Sequence, residues 1–312
     1  MPAPRRYLSY AEYAEEDPEF KNALNALKTF VERVAAPSMR NRRCFRVVSE
    51  RELELWKKYG GFRPELSYFG RFVCAYNPYI PWMDAHGMHL TYMTPPGSVV
   101  AMLEVELGSP ERFYYSDLVV GRAPCFTKET ATLKGEKVCD HWLGTDALVS
   151  QKDLLFAEGY SREFVRPEKV RRLYVLRETD GVRSFVEWLR EKNPEVEIIG
   201  GIPEPDEETA QAIRSLYGYL RSLTACVPRL LSLSGLKRES GVVFADTRFA
   251  MLAEAYDDLF AAATGRLPHY EGGIPAASLV EAMFEKEHAW RYPEEAAERC
   301  SPFVARRKIG EW

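Results

Sequence analysis

Four groups of residues in this sequence carry side chains whose type and spacing can do chemistry. The densest positive charge is Arg40-Asn-Arg-Arg43, with Arg46 close behind. Guanidinium groups at that density suit phosphate oxygens, so Arg40, Arg42 and Arg43 are the candidate nucleic-acid contacts, with Tyr76 and Tyr79 as stacking platforms. A solvated loop between a helix and a strand is the plainer use of the same run. His86-Gly-Met-His89 and Cys139-Asp-His141 offer nitrogen, sulfur and carboxylate donors of the kind zinc takes. Nothing fixes the distance between these two pairs, so they read as two surface loops and no metal is assigned. Cys139 with His141 does not read as nucleophile and base, because near neighbours on one element rarely aim at one reaction centre. The sequence holds no phosphate-binding P-loop, no G-x-G-x-x-G, no G-x-S-x-G and no H-E-x-x-H, which counts against P-loop NTPases, standard dinucleotide folds and zincins.

The elements that must position these groups change character along the chain. A helix is expected to open at Asp17-Pro18, with an N-cap and proline at the first helical position, and to close at Ala36-Pro37. Phe20, Leu24, Leu27, Phe30, Val31 and Val34 recur at helical spacing along it. From Cys44 to about Gly200 the pattern turns to short apolar runs between turn residues. Cys44 to Val48 reads as a strand, with Ser49 capping a helix from Glu50 to Tyr59 that Gly60-Gly61 ends. Ser98 to Leu107 is the clearest strand, and its apolar and acidic alternation at the far end predicts one face in solvent. Arg172 to Leu176, a helix over Val182 to Glu191 and Val196 to Ile199 make a β-α-β unit. Gly200-Gly-Ile-Pro-Glu-Pro205 is the expected boundary. Beyond it, helices are expected from Asp206, interrupted or ended by Pro228, from Thr247 to Gly265, over Ser278 to Trp290 and over Pro293 to Cys300. The organisation is then an N-terminal helical segment (1–43), an α+β domain (44–202) and a mainly helical domain (206–312).

Phe45-Arg46-Val-Val-Ser49, followed by Glu52-Leu53 and a helix ending at Gly60-Gly61-Phe62, resembles the opening strand and helix of the ADP-ribosyltransferase superfamily. Further on, Asp146-Ala-Leu-Val149, then Phe164-Val-Arg-Pro-Glu-Lys-Val170 and the strand from Arg172, resembles the catalytic strand of the DNA-targeting toxin branch. There an acidic residue leads a short apolar strand, and a proline segment and a β-α-β tail follow. The resemblance implies a mixed-sheet α+β domain that binds NAD. In it Arg46 would hold the nicotinamide-side ribose and phosphate with Ser49 as polar partner, because a planar donor fork pairs well with pyrophosphate oxygens. Tyr68 or Phe69 would stack on nicotinamide, and Asp146 would polarise the ribose as the catalytic carboxylate. The sequence departs from the family in carrying Asp instead of Glu at that position, and in lacking an Asn partner near Ser49.

Composition bounds these readings. A chain of 312 residues, 46% hydrophobic and 28% charged, can bury a large core without disulfide or metal. A net charge of -4 gives no global basic field, so any nucleic-acid contact is local. Asparagine occurs only at Asn22, Asn25, Asn41, Asn77 and Asn193, and glutamine only at Gln151 and Gln211. That depletion suits a thermophile, and a GC-rich genome gives the same bias. Six scattered cysteines without a C-x-x-C pair, no apolar run long enough to span a bilayer and no signal-peptide pattern lead us to expect a cytoplasmic chain with reduced thiols. The alternative to an NAD-dependent transferase acting on a nucleic acid or protein is a non-catalytic binding or assembly protein, such as a phage or mobile-element factor or a subunit of a larger complex. That reading rests on the aromatic segments His269 to Gly273 and Trp290-Arg-Tyr292, residue types that anchor protein interfaces.

Overall fold

The computed structural model describes residues 9–66, 72–88, 96–107, 113–115, 132–133, 136–137, 153–233, 242–265, 289–291 and 303–308. The fold is α+β, in two compact units. One comprises Glu32–Ser116 with Leu155–Ala210, the other Met1–Val31, Asp117–Leu154 and Gln211–Trp312.

The first unit is built on a mixed sheet. Its strands are β1 (Arg43–Ser49), β2 (Phe72–Ala75), β3 (Val99–Glu106), β4 (Phe113–Tyr115), β7 (Glu158–Ser161), β8 (Val170–Val175) and β9 (Glu197–Gly200). They lie in the order β4-β7-β2-β1-β3-β8-β9. Every neighbouring pair is antiparallel except β8 and β9, which are parallel and joined through the helix Asp180–Lys192, as the β-α-β pattern predicts.

Local chemistry explains the two helices on one face. The Ser49 hydroxyl accepts from the backbone N–H of Glu52 at 3.4 Å and opens the helix Glu50–Tyr59. Glu50 and Glu52 sit in its first turn and Lys57 and Lys58 in its last, complementing the helix dipole. Gly60, at φ 69°, supplies the left-handed residue that stops it. Thr179 caps Asp180–Lys192 in the same way, accepting from Val182 N–H at 3.2 Å. Leu53 and Trp56 on one helix and Val182, Phe185 and Leu189 on the other are buried. The Trp56 ring lies 6.4 Å from both Phe72 and Phe185 and 6.1 Å from Phe62, edge-on or tilted, as aromatic quadrupoles prefer.

In the second unit Ser9 and Glu12 form a capping box at the helix Tyr10–Glu16, and Asp17 caps Pro18–Phe30. Pro18–Phe30 buries Phe20, Leu27 and Phe30, and Thr247–Thr264 buries Leu252, Tyr256 and Phe260. Gly265, at φ 72°, follows the latter helix as expected. The unit also holds a sheet of β10 (Val242–Asp246), β12 (Phe303–Lys308) and β11 (Ala289–Arg291), and a small hairpin of β5 (Thr132–Leu133) and β6 (Glu136–Lys137).

Four expectations change. The N-terminal helix does not close at Ala36-Pro37; it passes through a π turn at Val31–Ala35 into Ala36–Arg40. Pro37 falls in the first turn of that last segment, where a missing N–H costs nothing. Pro228 does not end its helix, which runs over Glu207–Leu233, because one proline removes one donor from a long ladder. The helix expected to reach Trp290 does not: Trp290 lies in β11, while 278–288 and 293–300 fall outside the described residues. The far end of β3 is not solvent-facing at Glu104, which is 2% exposed.

Candidate anion site on the central strands

Arg46 occupies the middle of β1, on the sheet face covered by the helix Glu50–Tyr59. Its Nε donates to Glu52 Oε1 at 2.6 Å and its Nη2 to Glu52 Oε2 at 2.9 Å, a bidentate fork. Its Nη1 donates to the backbone carbonyl of Val73 on β2 at 2.6 Å. The guanidinium carbon lies 4.9 Å from the centre of the Phe62 ring and 5.3 Å from that of Phe72, close enough for cation–π attraction. Arg46 and Glu52 retain 12% and 14% exposure, so the pair is mostly, but not fully, removed from water.

The spacing Ser49-x-x-Glu52 is that of a capping box, in which the glutamate would reach back to the N-cap N–H. Here the serine caps and the glutamate pairs with Arg46 instead. Phe62 is held by two backbone hydrogen bonds with Val165, at 2.9 and 3.0 Å. Gly61 makes that approach feasible: it has φ 145°, and a Cβ there would lie 2.5 Å from the Val165 carbonyl oxygen.

The opposite face of the sheet carries a row of charge across four strands. Glu104 on β3 faces Arg43 Nη1 at 3.4 Å, Arg172 Nη1 at 3.3 Å and the Tyr174 hydroxyl at 3.2 Å. Arg172 Nε in turn donates to Glu197 on β9 at 2.6 Å. The bond to Glu197 holds Arg172 more firmly protonated than usual, and burial followed by the Glu104 charge raises the Tyr174 phenol above its ordinary range. Sequence reading did not single out Glu104; its partners are distant in the chain, and only the β1-β3-β8 register reveals them.

The structure separates the predicted site residues. Arg46 and Ser49 lie at the start of one strand-to-helix unit. Arg43 is paired with Glu104, whereas Arg40 and Arg42 are exposed at the turn before β1, with Arg42 at φ 56°. Tyr79 is half-buried, but Tyr76 is fully buried and offers no ring face to a base, which removes it as a stacking platform. Tyr68, Phe69 and Asp146 lie outside the described residues, as do His89, Cys139 and His141. His86 Nδ1 lies 2.8 Å from the Trp82 carbonyl, and no group of three His, Cys, Asp or Glu side chains could hold a metal among the described residues. Cys44 and Cys74 are free and buried, and burial pushes the Cys44 thiol well up.

The topology also places one acidic residue that sequence reading passed over. Glu158 is the first residue of β7, ahead of the Phe164 to Val170 segment. In register, Phe45 of β1 faces Ala75 of β2, and Ala75 faces Glu158. Paired residues share a sheet face and successive residues alternate, so this position belongs to the Phe45 face of the sheet and not to that of Arg46. No family model, curated protein or solved structure matches the chain.

Proposed function

We propose that the strand-rich unit is an NAD-binding, ADP-ribosyltransferase-like domain that modifies a nucleic acid or a protein. The observation that carries this reading is that β1 brings Arg46 to the start of the helix Glu50–Tyr59, capped by Ser49 and stopped by Gly60, with a donor left on each terminal nitrogen of the guanidinium. The resemblance requires such an arginine strand running into a helix that glycine ends, with a β-α-β tail further on.

The residues present fit a dinucleotide in type. Arg46 keeps part of its donor set uncommitted beside an aromatic pair, and Ser49 lies at the helix start where a backbone N–H cluster favours negative charge. NAD, when bound, supplies the ADP-ribose group and leaves nicotinamide behind. Arg46 would bind pyrophosphate oxygens, Tyr68 or Phe69 would cover the nicotinamide, and a carboxylate would bind ribose hydroxyls and stabilise the positive charge that develops there. Asp146 is the candidate for that carboxylate, as the resemblance implies. Arg40 and Arg42, exposed at the turn before β1, would meet the phosphates of a nucleic-acid target.

The test is twofold. NAD at about a hundred times its Kd should stabilise the protein by about 2.7 kcal/mol through linkage, read as a raised melting temperature. Nicotinamide release should then disappear in Asp146→Asn while NAD still raises the melting temperature of that variant. A melting temperature indifferent to NAD, or release unchanged in Asp146→Asn, would reject the proposal.

A further inference from the structure

We infer that Glu52 is a positioning residue that presents Arg46 to the pyrophosphate of the dinucleotide; this rests on the function proposed above. A guanidinium has five N–H donors in one plane. Glu52 takes Nε–H and one Nη2–H, and the Val73 carbonyl takes one Nη1–H. One donor remains on each of Nη1 and Nη2. Three fixed bonds from a helix and a neighbouring strand, with Phe62 and Phe72 at the ring faces, leave the plane no freedom to rotate. A free arginine would lose its rotamer entropy on meeting an anion, and this one has lost it already. The carboxylate also offsets the positive field of the guanidinium, so Glu52 can act in two opposed ways: it orients the remaining donors, and it weakens their pull on the incoming anion. The geometry favours orientation, because the bidentate contact occupies the side of the guanidinium that includes Nε and leaves a donor on each terminal nitrogen.

Calorimetric titration of the full chain with NAD, and separately with inorganic pyrophosphate, tests the assignment in the wild type, Glu52→Asp and Glu52→Gln. Glu52→Asp keeps the charge but withdraws the carboxylate by one methylene, and Glu52→Gln keeps the length but can accept with one oxygen only. Each variant that circular dichroism shows to be folded should bind both probes about tenfold more weakly. A merely structural role would lower the melting temperature and leave the affinity of folded protein unchanged. If the wild type binds NAD and the folded variants bind within about twofold of it, Glu52 does not position Arg46. A Glu52→Gln protein that binds more tightly would show that the carboxylate competes for Arg46, and would overturn the assignment equally. A wild type that binds neither probe would instead remove the function on which the inference stands.

Discussion

Replacing Glu104 by Gln should destabilise the strand-rich unit more than any change at the neighbouring acid on the same strand. The side chain is 2% exposed and faces Arg43, Arg172 and Tyr174 at 3.2–3.4 Å. Breaking a fully buried ion pair from one side costs about 3–5 kcal/mol, because the partner's charge is left uncompensated. Here both arginines are 37% exposed and can turn partly into water, and Arg172 keeps its bond to Glu197 at 2.6 Å. The discounted cost is about 2 kcal/mol, most of it from Arg43. Glu106 supplies the internal control. It pairs with Arg171, with Nε at 2.6 Å, but the two are 31% and 53% exposed. Glu106→Gln should therefore cost less than about 1 kcal/mol. Urea unfolding followed by circular dichroism compares the three proteins, with the midpoint difference taken at equal slope. A Glu104→Gln loss no larger than that of Glu106→Gln would refute the reading of Glu104 as the keystone of the charge row.

Two further outcomes follow from backbone and proton chemistry. Gly61→Ala should cost about 3 kcal/mol, since φ 145° is closed to alanine and its Cβ would meet a backbone carbonyl, whereas Gly60→Ala, at φ 69° with open space around it, should cost about 1 kcal/mol; thermal unfolding that ranks the two the other way would contradict the Phe62 and Val165 geometry. The Tyr10 phenol, pushed up to about 12 by burial and then by its 3.0 Å bond to Asp258, gives stability that is complete below its ordinary value of 10.0 and is lost as pH rises through about 12. Tyr10→Phe should abolish that loss, and a wild-type minus variant tyrosinate difference titration centred near 10.0 instead of about 12 would show that the bond does not form in solution.

Much of the strand-rich unit was legible because its signals are local. Ser49, Gly60 and the β-branched runs at Cys44 to Val48 and Ser98 to Leu107 specify caps, stops and strands from a few residues each. β2 and β7 escaped notice because each has four residues, too few for a period, and β7 contains Gly159 and Ser161. Burial of Glu104 was illegible for a different reason: an apolar and acidic alternation reads as half-exposed, and only neighbours from β1 and β8 make a buried carboxylate tolerable. The Arg46 and Glu52 pair spans a strand and a helix, and the capping-box spacing pointed its glutamate elsewhere. In the second unit, strands β10, β11 and β12 pair across long sequence separations that composition does not record.

The row Arg43, Glu104, Arg172 and Glu197 also works as an alignment code. Its members alternate in sign from strand to strand, and each meets its counter-charge only when β1, β3, β8 and β9 stand in their native register. A slip of β3 by one residue would turn Glu104 to the face that Trp56 and Phe185 occupy and leave Arg43 without its counter-ion and Arg172 with Glu197 alone, a penalty that β-branched side chains alone could not impose. Hydrophobic strands such as Val99–Glu106 can pair with one another in several offsets at similar gain. The charges make the one-residue offset expensive, so the row guards against that misassembly of the sheet whose central strands carry the candidate site.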